Sequence, residues 1–333
     1  MKSPAGGSLH QENLKHHSKS NSRTYIIGVI GAMFWGISFL GTKVSMSYLE
    51  PAGLMAARMV VAVFFMGLMI LFGLAKVRYT KKYLWTMILL ALLQPCFYGL
   101  LEAMGVRLTT ASESAILLAF LPLVTTMLAA IFLKEKITRT QWGFIAMSFL
   151  GVVVTVVFAE DFSMGGKLLG YGFLLVAVLS GSLYSIFARR VSETYTPFEV
   201  TFVMSVVGLI FFNVVNVFQG NGLESYRIIF AHPNLIAIVV FLGLVCSVIS
   251  FLAFNYLIAR IPAYKAAVLT ISVLTVTGVA AGIVILGEPA TWYKIVGMII
   301  IVVGVIGTGL GGANTPDAAG RQEIGDASGM KGA

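Results

Sequence analysis

The chain has 333 residues, of which 58% are hydrophobic and 11% charged, with a net charge of +9 at neutral pH. Soluble domains carry about a quarter charged residues, so one water-soluble core is excluded and a bilayer is the natural solvent. The positive surplus would suit nucleic acid only on a folded basic surface, and the cations instead sit in short breaks between apolar runs.

In chain order, residues 1–23 are polar and basic ("HQENLKHHSKSNSR"), with no apolar stretch before Tyr25. Nothing here reads as a cleavable signal, and the stretch is expected to be a disordered cytoplasmic tail. Apolar runs of membrane-spanning length follow. The first five are roughly Tyr25–Thr42, Leu54–Ala75, Tyr83–Met104, Ser114–Leu133 and Gln141–Phe158. The next five are Leu168–Ala188, Pro197–Phe218, Leu235–Ala259, Ala263–Leu286 and Trp292–Leu310. Residues 311–333 are small and polar and predict a second disordered cytoplasmic tail. Cys96 and Cys246 both fall inside apolar runs and read as buried thiols.

With the N-terminus cytoplasmic, 17 lysines and arginines fall in cytoplasmic segments and five outside: Lys43, Arg107, Lys167, Arg227 and Lys294. The positive-inside rule then puts both termini in the cytoplasm of a multi-pass cell-membrane protein. Membrane lipids are the expected partner of the basic face, and nucleic acid is not.

A shift of 153 residues aligns Arg107 with Arg260, Glu135 with Glu288, Thr138 with Thr291, Gly151 with Gly304 and Thr155 with Thr308. A shift of 146 aligns Pro51 with Pro197. Charged matches are hard to obtain by chance in apolar spans. The reading is a duplication of five spans, residues 24–159 and 168–310. Because five is odd, the copies are inverted relative to each other, an arrangement that places a substrate site near mid-membrane. The expected fold class is all-α integral membrane, with ten transmembrane helices as two inverted five-helix repeats.

"LLAFLPLVTTMLAAIFLKEKIT" carries a proline early in the fourth span and an acidic residue after it, and "VLTISVLTVTGVAAGIVILGEPAT" repeats the design before the tenth. These paired blocks resemble the EamA-type branch of the drug/metabolite transporter superfamily, over about residues 25–310. The resemblance implies a ten-helix bundle working by alternating access on amino acids, other metabolites or toxic compounds. Where Pro122 stands in the first half, the second has Thr275, which predicts a straighter ninth span.

Candidate site residues come from polar groups inside apolar spans, which face protein or a wet cavity. Arg58, Glu102 and Glu113 fall on the outer half of the first repeat, and Arg58 is expected to pair with Glu102 or Glu113. Each carboxylate has two readings: a proton or cation carrier, or a structural group, Glu113 being an acid in the first turn of its helix. Gln94, Tyr98 and Glu102 recur every four residues and predict one helical stripe. Their images in the second half are Ser247, Phe251 and Asn255, and Ser247 and Asn255 join the candidates. Trp35 and Ser38 on the first span and Tyr184 on the sixth suit a mostly apolar pocket with polar anchors. Gly28, Gly31 and Gly36 are read as close-approach points. Lys265 is read as a snorkelling side chain or a counter-charge to an anionic solute. Glu135 and Glu288 are read as helix-end anchors bonding to neighbouring loops, not as ligands.

The sequence has no glycine-rich phosphate loop, no H-E-x-x-H helix and no histidine in a span. An enzyme reading has little support, and no cofactor or metal is expected. The function expected is a secondary transporter of small organic metabolites such as amino acids, more an exporter than not, driven by protons or by the solute gradient. The alternatives are an uptake permease, a multidrug exporter or, at lower weight, a non-transporting membrane protein. Monomer and homodimer are both left open.

Overall fold

The computed structural model describes residues 6–78, 84–132, 137–158, 166–192, 194–261 and 263–313. Side chains are described from residue 23 on, except at 129, 166, 189–190, 192, 263–265 and 309–313. Every regular element among these residues is helical. Nine helices are long and apolar enough to cross a membrane: α1 (Arg23–Ser45), α2 (Pro51–Leu71), α3 (Leu84–Leu108), α4 (Ala111–Phe132), α5 (Arg139–Val157), α6 (Lys167–Ala188), α7 (Pro197–Phe218), α9 (Pro233–Ile258) and α10 (Ala266–Leu286). A short amphipathic helix, α8 (Glu224–Ala231), precedes α9. The last, α11, runs Trp292–Ala313, and its apolar part Trp292–Thr308 is shorter than the other spans. Helices dominate because a bilayer offers no water to backbone N–H and C=O groups, and a helix satisfies them within one segment.

Local sequence sets the ends. Pro51 and Pro197 occupy the first turns of α2 and α7, where a missing N–H costs nothing. Thr110, Thr138 and Thr196 cap α4, α5 and α7, each in a reciprocal box with Glu113, Gln141 or Glu199. Gly73, Gly220 and Gly287 follow α2, α7 and α10 at φ of 70°, 78° and 67°, a conformation that stops a helix and that only glycine adopts cheaply.

The N-terminal helix extends back to Gly6, where the sequence predicts a disordered tail. No glycine or proline stands between Ser8 and Tyr25, so nothing breaks a helix propagating back from the anchored span. The C-terminal tail lies outside the described residues beyond Ala313.

Pro122 has the expected consequence. α4 is interrupted at Ala119–Phe120, between helical parts Ala111–Leu118 and Leu121–Phe132, whereas the helix containing Thr275 is continuous from Ala263 to Leu286. Thr275 returns its hydroxyl to the Ile271 carbonyl at 2.8 Å. At the start of the second part, the Leu121 carbonyl of α4 accepts from Thr125 at 2.8 Å and from Ser182 of α6 at 3.1 Å.

Glycines let helices meet at backbone distance. A Cβ at Gly36 would lie 2.7 Å from the Leu274 carbonyl of α10, and one at Gly31 would lie 2.8 Å from Ala253 of α9. One at Gly28 would touch Leu257 at 3.0 Å. The close-approach role expected of all three is what the packing uses. Large apolar side chains such as Phe64, Phe218 and Val284 remain exposed around the outside, as lipid-facing surface requires.

Candidate functional site

Two spans lose α-helical geometry at their middles. α3 contains a π segment at Leu92–Phe97, and Gln94 there leaves the helix at φ −148°, ψ 119°. The following Pro95 explains this, since proline drives its predecessor out of the α region. The Leu93 carbonyl is satisfied from outside the helix by the Ser180 hydroxyl of α6 at 2.8 Å. α9 contains a π segment at Phe241–Ile249, where Ser247 and Ser250 bond back five residues to the Leu242 and Val245 carbonyls. Such irregular backbone at membrane depth is tolerated where it is buried in protein.

Trp35 of α1 packs beside these segments. Its indole donates to the Cys246 carbonyl at 2.9 Å, and its ring meets Phe251 edge-on at 4.9 Å and Phe254 at 5.4 Å. Ser38 bonds only to the Trp35 carbonyl, one turn back. Tyr98 lies against Gly181 of α6, where a Cβ would stand 3.0 Å from its ring. Tyr184 is fully buried and donates to Asn255 at 3.2 Å, and Asn255 donates to Thr201 at 3.0 Å. Of the four helices expected to line a site, α1 packs against α3 and α9, and α6 packs against the same two. Tyr184 and Asn255 lie nearer the C-terminal ends of α6 and α9, whereas Trp35, Gln94, Tyr98 and Ser247 stand near the middles of their spans. Cys96 and Cys246 are buried free thiols, as expected.

The expected pairing of Arg58 with Glu102 or Glu113 is not formed. Arg58 is 7% exposed, and among the described residues its one polar contact is Nη1 to the Met55 sulfur at 3.5 Å. Its Nε has no partner. Glu102 forms no hydrogen bond or ion pair among the described residues. The two interact at longer range, and both act on Tyr98 and Cys246. Nor is the predicted stripe continuous. Tyr98 and Glu102 share the α-helical face Tyr98–Leu108, but Gln94 lies across the π segment and is displaced from it.

Glu113 belongs to a different cluster, where α1, α3 and α10 end and α4, α6 and α11 begin. Its carboxylate is fully buried, accepts the Thr110 N–H at 3.1 Å and lies 3.7 Å from the Lys167 ammonium of α6. Next to it Glu288, after α10, accepts the N–H groups of Ala111 at 2.7 Å and Ser112 at 3.1 Å, at the N-terminus of α4. Lys294 of α11, 1% exposed, stands 3.9 Å from Glu288 and donates to the Pro289 carbonyl. Lys43 of α1 donates to the carbonyls of Val106, Arg107 and Thr109 at the end of α3. Glu288 is thus a helix-end anchor, as expected, while Glu135 lies outside the described residues. Lys265 stands in the first turn of the helix starting at Ala263, and its side chain too lies outside them. Among the described residues no three His, Cys, Asp or Glu side chains converge as metal ligands do.

The model of the EamA-like transporter family matches residues 22–157 and again 168–310. The chain belongs to the EamA-like transporter family. An uncharacterized transporter of Bacillus subtilis, YcxC, is 31% identical over 293 residues, 86% of this chain and 92% of the relative. An uncharacterized transporter of Archaeoglobus fulgidus is 24% identical over 283 residues, 85% and 97% of the two chains. A crystal structure covering 87% of this chain and 97% of its own matches at TM-score 0.59 with 18% identity, a likeness of fold alone. This EamA-like protein is accordingly a multi-span membrane protein of a transporter family.

Lys43, Lys167 and Lys294 of this transporter are absent from the sequence-derived candidates, where they count only as outer loop charges. A signal existed for two of them. Lys167 and Lys294 stand in the first turns of α6 and α11, where the helix dipole repels a cation. A lysine held there calls for a carboxylate beside it.

Proposed function

We propose that this EamA-like protein is a secondary transporter of small organic metabolites such as amino acids, working by alternating access between two inverted five-span repeats. The observation that carries the reading is the packing of α5 against α11. Ser148 donates to Ile301 at 3.4 Å, and these residues are images of each other under the 153-residue shift. On one side of that point a Cβ at Gly151 would meet the Gly297 carbonyl at 3.0 Å; on the other, one at Gly304 would meet the Phe144 carbonyl at 2.8 Å. The second contact is the first with the halves exchanged, as in a two-fold, self-complementary interface. Contacts run in opposite order along the two helices, so they are antiparallel, and the relating axis lies across them, in the membrane plane. That is the symmetry of an inverted repeat.

Further support comes from the recurrence of packing and defects. α1 packs on α10 as α6 packs on α4, and α3 packs on α6 as α9 packs on α1. The π segments occupy corresponding spans of the two halves. Both termini then face the cytoplasm of the cell membrane, with α11 as the tenth span. Solute binds at mid-membrane among α1, α3, α6 and α9, near Trp35, Tyr98 and Ser247, and export is the favoured direction. The test is counterflow in proteoliposomes of the purified chain against amino acids, nucleosides and organic cations, with and without a pH gradient. Saturable exchange of any one supports transport; no exchange of any overturns it. Labelling of single cysteines at the two termini from one face only would overturn the topology if just one reacted.

A further inference from the structure

Arg58 carries a permanent charge seven residues into α2, about 10 Å below its outer end. A guanidinium at that depth needs compensation, and the Met55 thioether cannot supply it. Among the described residues its Nε meets no acceptor and no carboxylate lies within 4.0 Å. On the adjoining helix Glu102 is half-buried and equally without a polar partner. α2 and α3 are in contact at this level: Ala103 packs with Met55, Ala56 and Met59, and a Cβ at Gly99 would fall 2.4 Å from the Met55 methyl. A helix-locking ion pair would be closed, because arginine is long and its fork reaches a carboxylate in two bonds. Instead two opposite charges sit on packed neighbouring helices, within electrostatic range but not in contact, each with hydrogen-bonding atoms unpaired among the described residues.

We infer that Arg58 and Glu102 read the two ends of one zwitterionic solute, the guanidinium holding its anionic group and the carboxylate its cationic group. A purely cationic solute would leave Arg58 uncompensated, and a purely anionic one would be seated against Glu102. The assignment rests on the transport reading above and adds to it the charge pattern of the cargo and the residue that reads each charge.

The test is counterflow of a labelled mixture of the protein amino acids into proteoliposomes, competed by leucine, by 3-methylbutylamine and by 4-methylpentanoate. The last two are leucine without its carboxylate and without its ammonium. Leucine competes with the wild type at least about tenfold better than either relative. Arg58→Gln loses that preference by its carboxylate side, so that 3-methylbutylamine competes as well as leucine. Glu102→Gln loses it by the ammonium side, so that 4-methylpentanoate does. Equal competition by all three in the wild type overturns the inference even if a variant fails to fold. So does a folded Arg58→Gln protein with unchanged preference, and so does exchange confined to singly charged or neutral solutes. Absence of any exchange with the whole solute panel strikes instead at the transport reading.

Discussion

Glu288→Gln removes one charge from the cluster it shares with Glu113 while keeping its shape. The carboxylate holds two backbone N–H groups of α4, at 2.7 and 3.1 Å, and faces the almost fully buried Lys294 at 3.9 Å. Charge-assisted hydrogen bonds exceed neutral ones by about 1 kcal/mol each. Loss of the negative charge at a helix N-terminus costs about 0.5–1 kcal/mol more. The larger effect is on Lys294, since stripping a buried charge of its counter-charge costs about 3–5 kcal/mol. The Pro289 carbonyl still accepts from it, so the low end applies. These effects overlap, and a net loss of about 3 kcal/mol is expected, roughly 150-fold in the folded-to-unfolded ratio. Reversible unfolding in mixed micelles measures it. Adding Lys294→Met to Glu288→Gln should restore at least about 1 kcal/mol, because it deletes the orphaned charge. A single variant within about 0.5 kcal/mol of wild type, or a double variant worse than the single, would refute the reasoning.

Gly36→Val should lower stability by at least about 2 kcal/mol, because its Cβ would stand 2.7 Å from the Leu274 carbonyl, which is backbone and cannot yield. Gly143→Ala, with nothing within 4 Å, should leave stability unchanged or raise it by up to about 1 kcal/mol in the same unfolding assay. Tyr184→Phe takes the donor from the buried Asn255 carbonyl oxygen and should cost about 1 kcal/mol, a typical value for a hydrogen bond inside a membrane; no change would show that bond to be idle. Ser148→Cys with Ile301→Cys, the pair that maps onto itself under the 153-residue shift, should cross-link under mild oxidation, read as a gel shift after cleavage between the halves. Absence of that cross-link would break the two-fold relation.

The spans were legible because each is a run of apolar residues punctuated by Pro, Thr or Gly, and those residues act locally. Pro51 and Pro197 start helices, and Pro122 interrupts one, whatever packs around them. The pairing of charges was not legible. Arg58 and Glu102 are close along their spans, yet pairing depends on side-chain direction, and Glu113 is turned away by its own capping box toward Lys167. The stripe of Gln94, Tyr98 and Glu102 was misread because a four-residue period presumes an unbroken α-helix. Pro95 was the visible warning that it is broken. Lys43, Lys167 and Lys294 eluded a reading that weighs charges by side of the membrane and not by the helix end they occupy.

The indole of Trp35, tied to the main chain of α9, gives the molecule an optical gauge of its own. The other tryptophans, Trp85, Trp142 and Trp292, are more than half exposed around the outside. Their emission should answer to quenchers dissolved in the acyl chains, whereas that of Trp35 should not. Light that survives such quenching therefore reports on the seam between α1 and α9, and any rocking that parts the indole from the Cys246 carbonyl should shift its colour without a label having been attached.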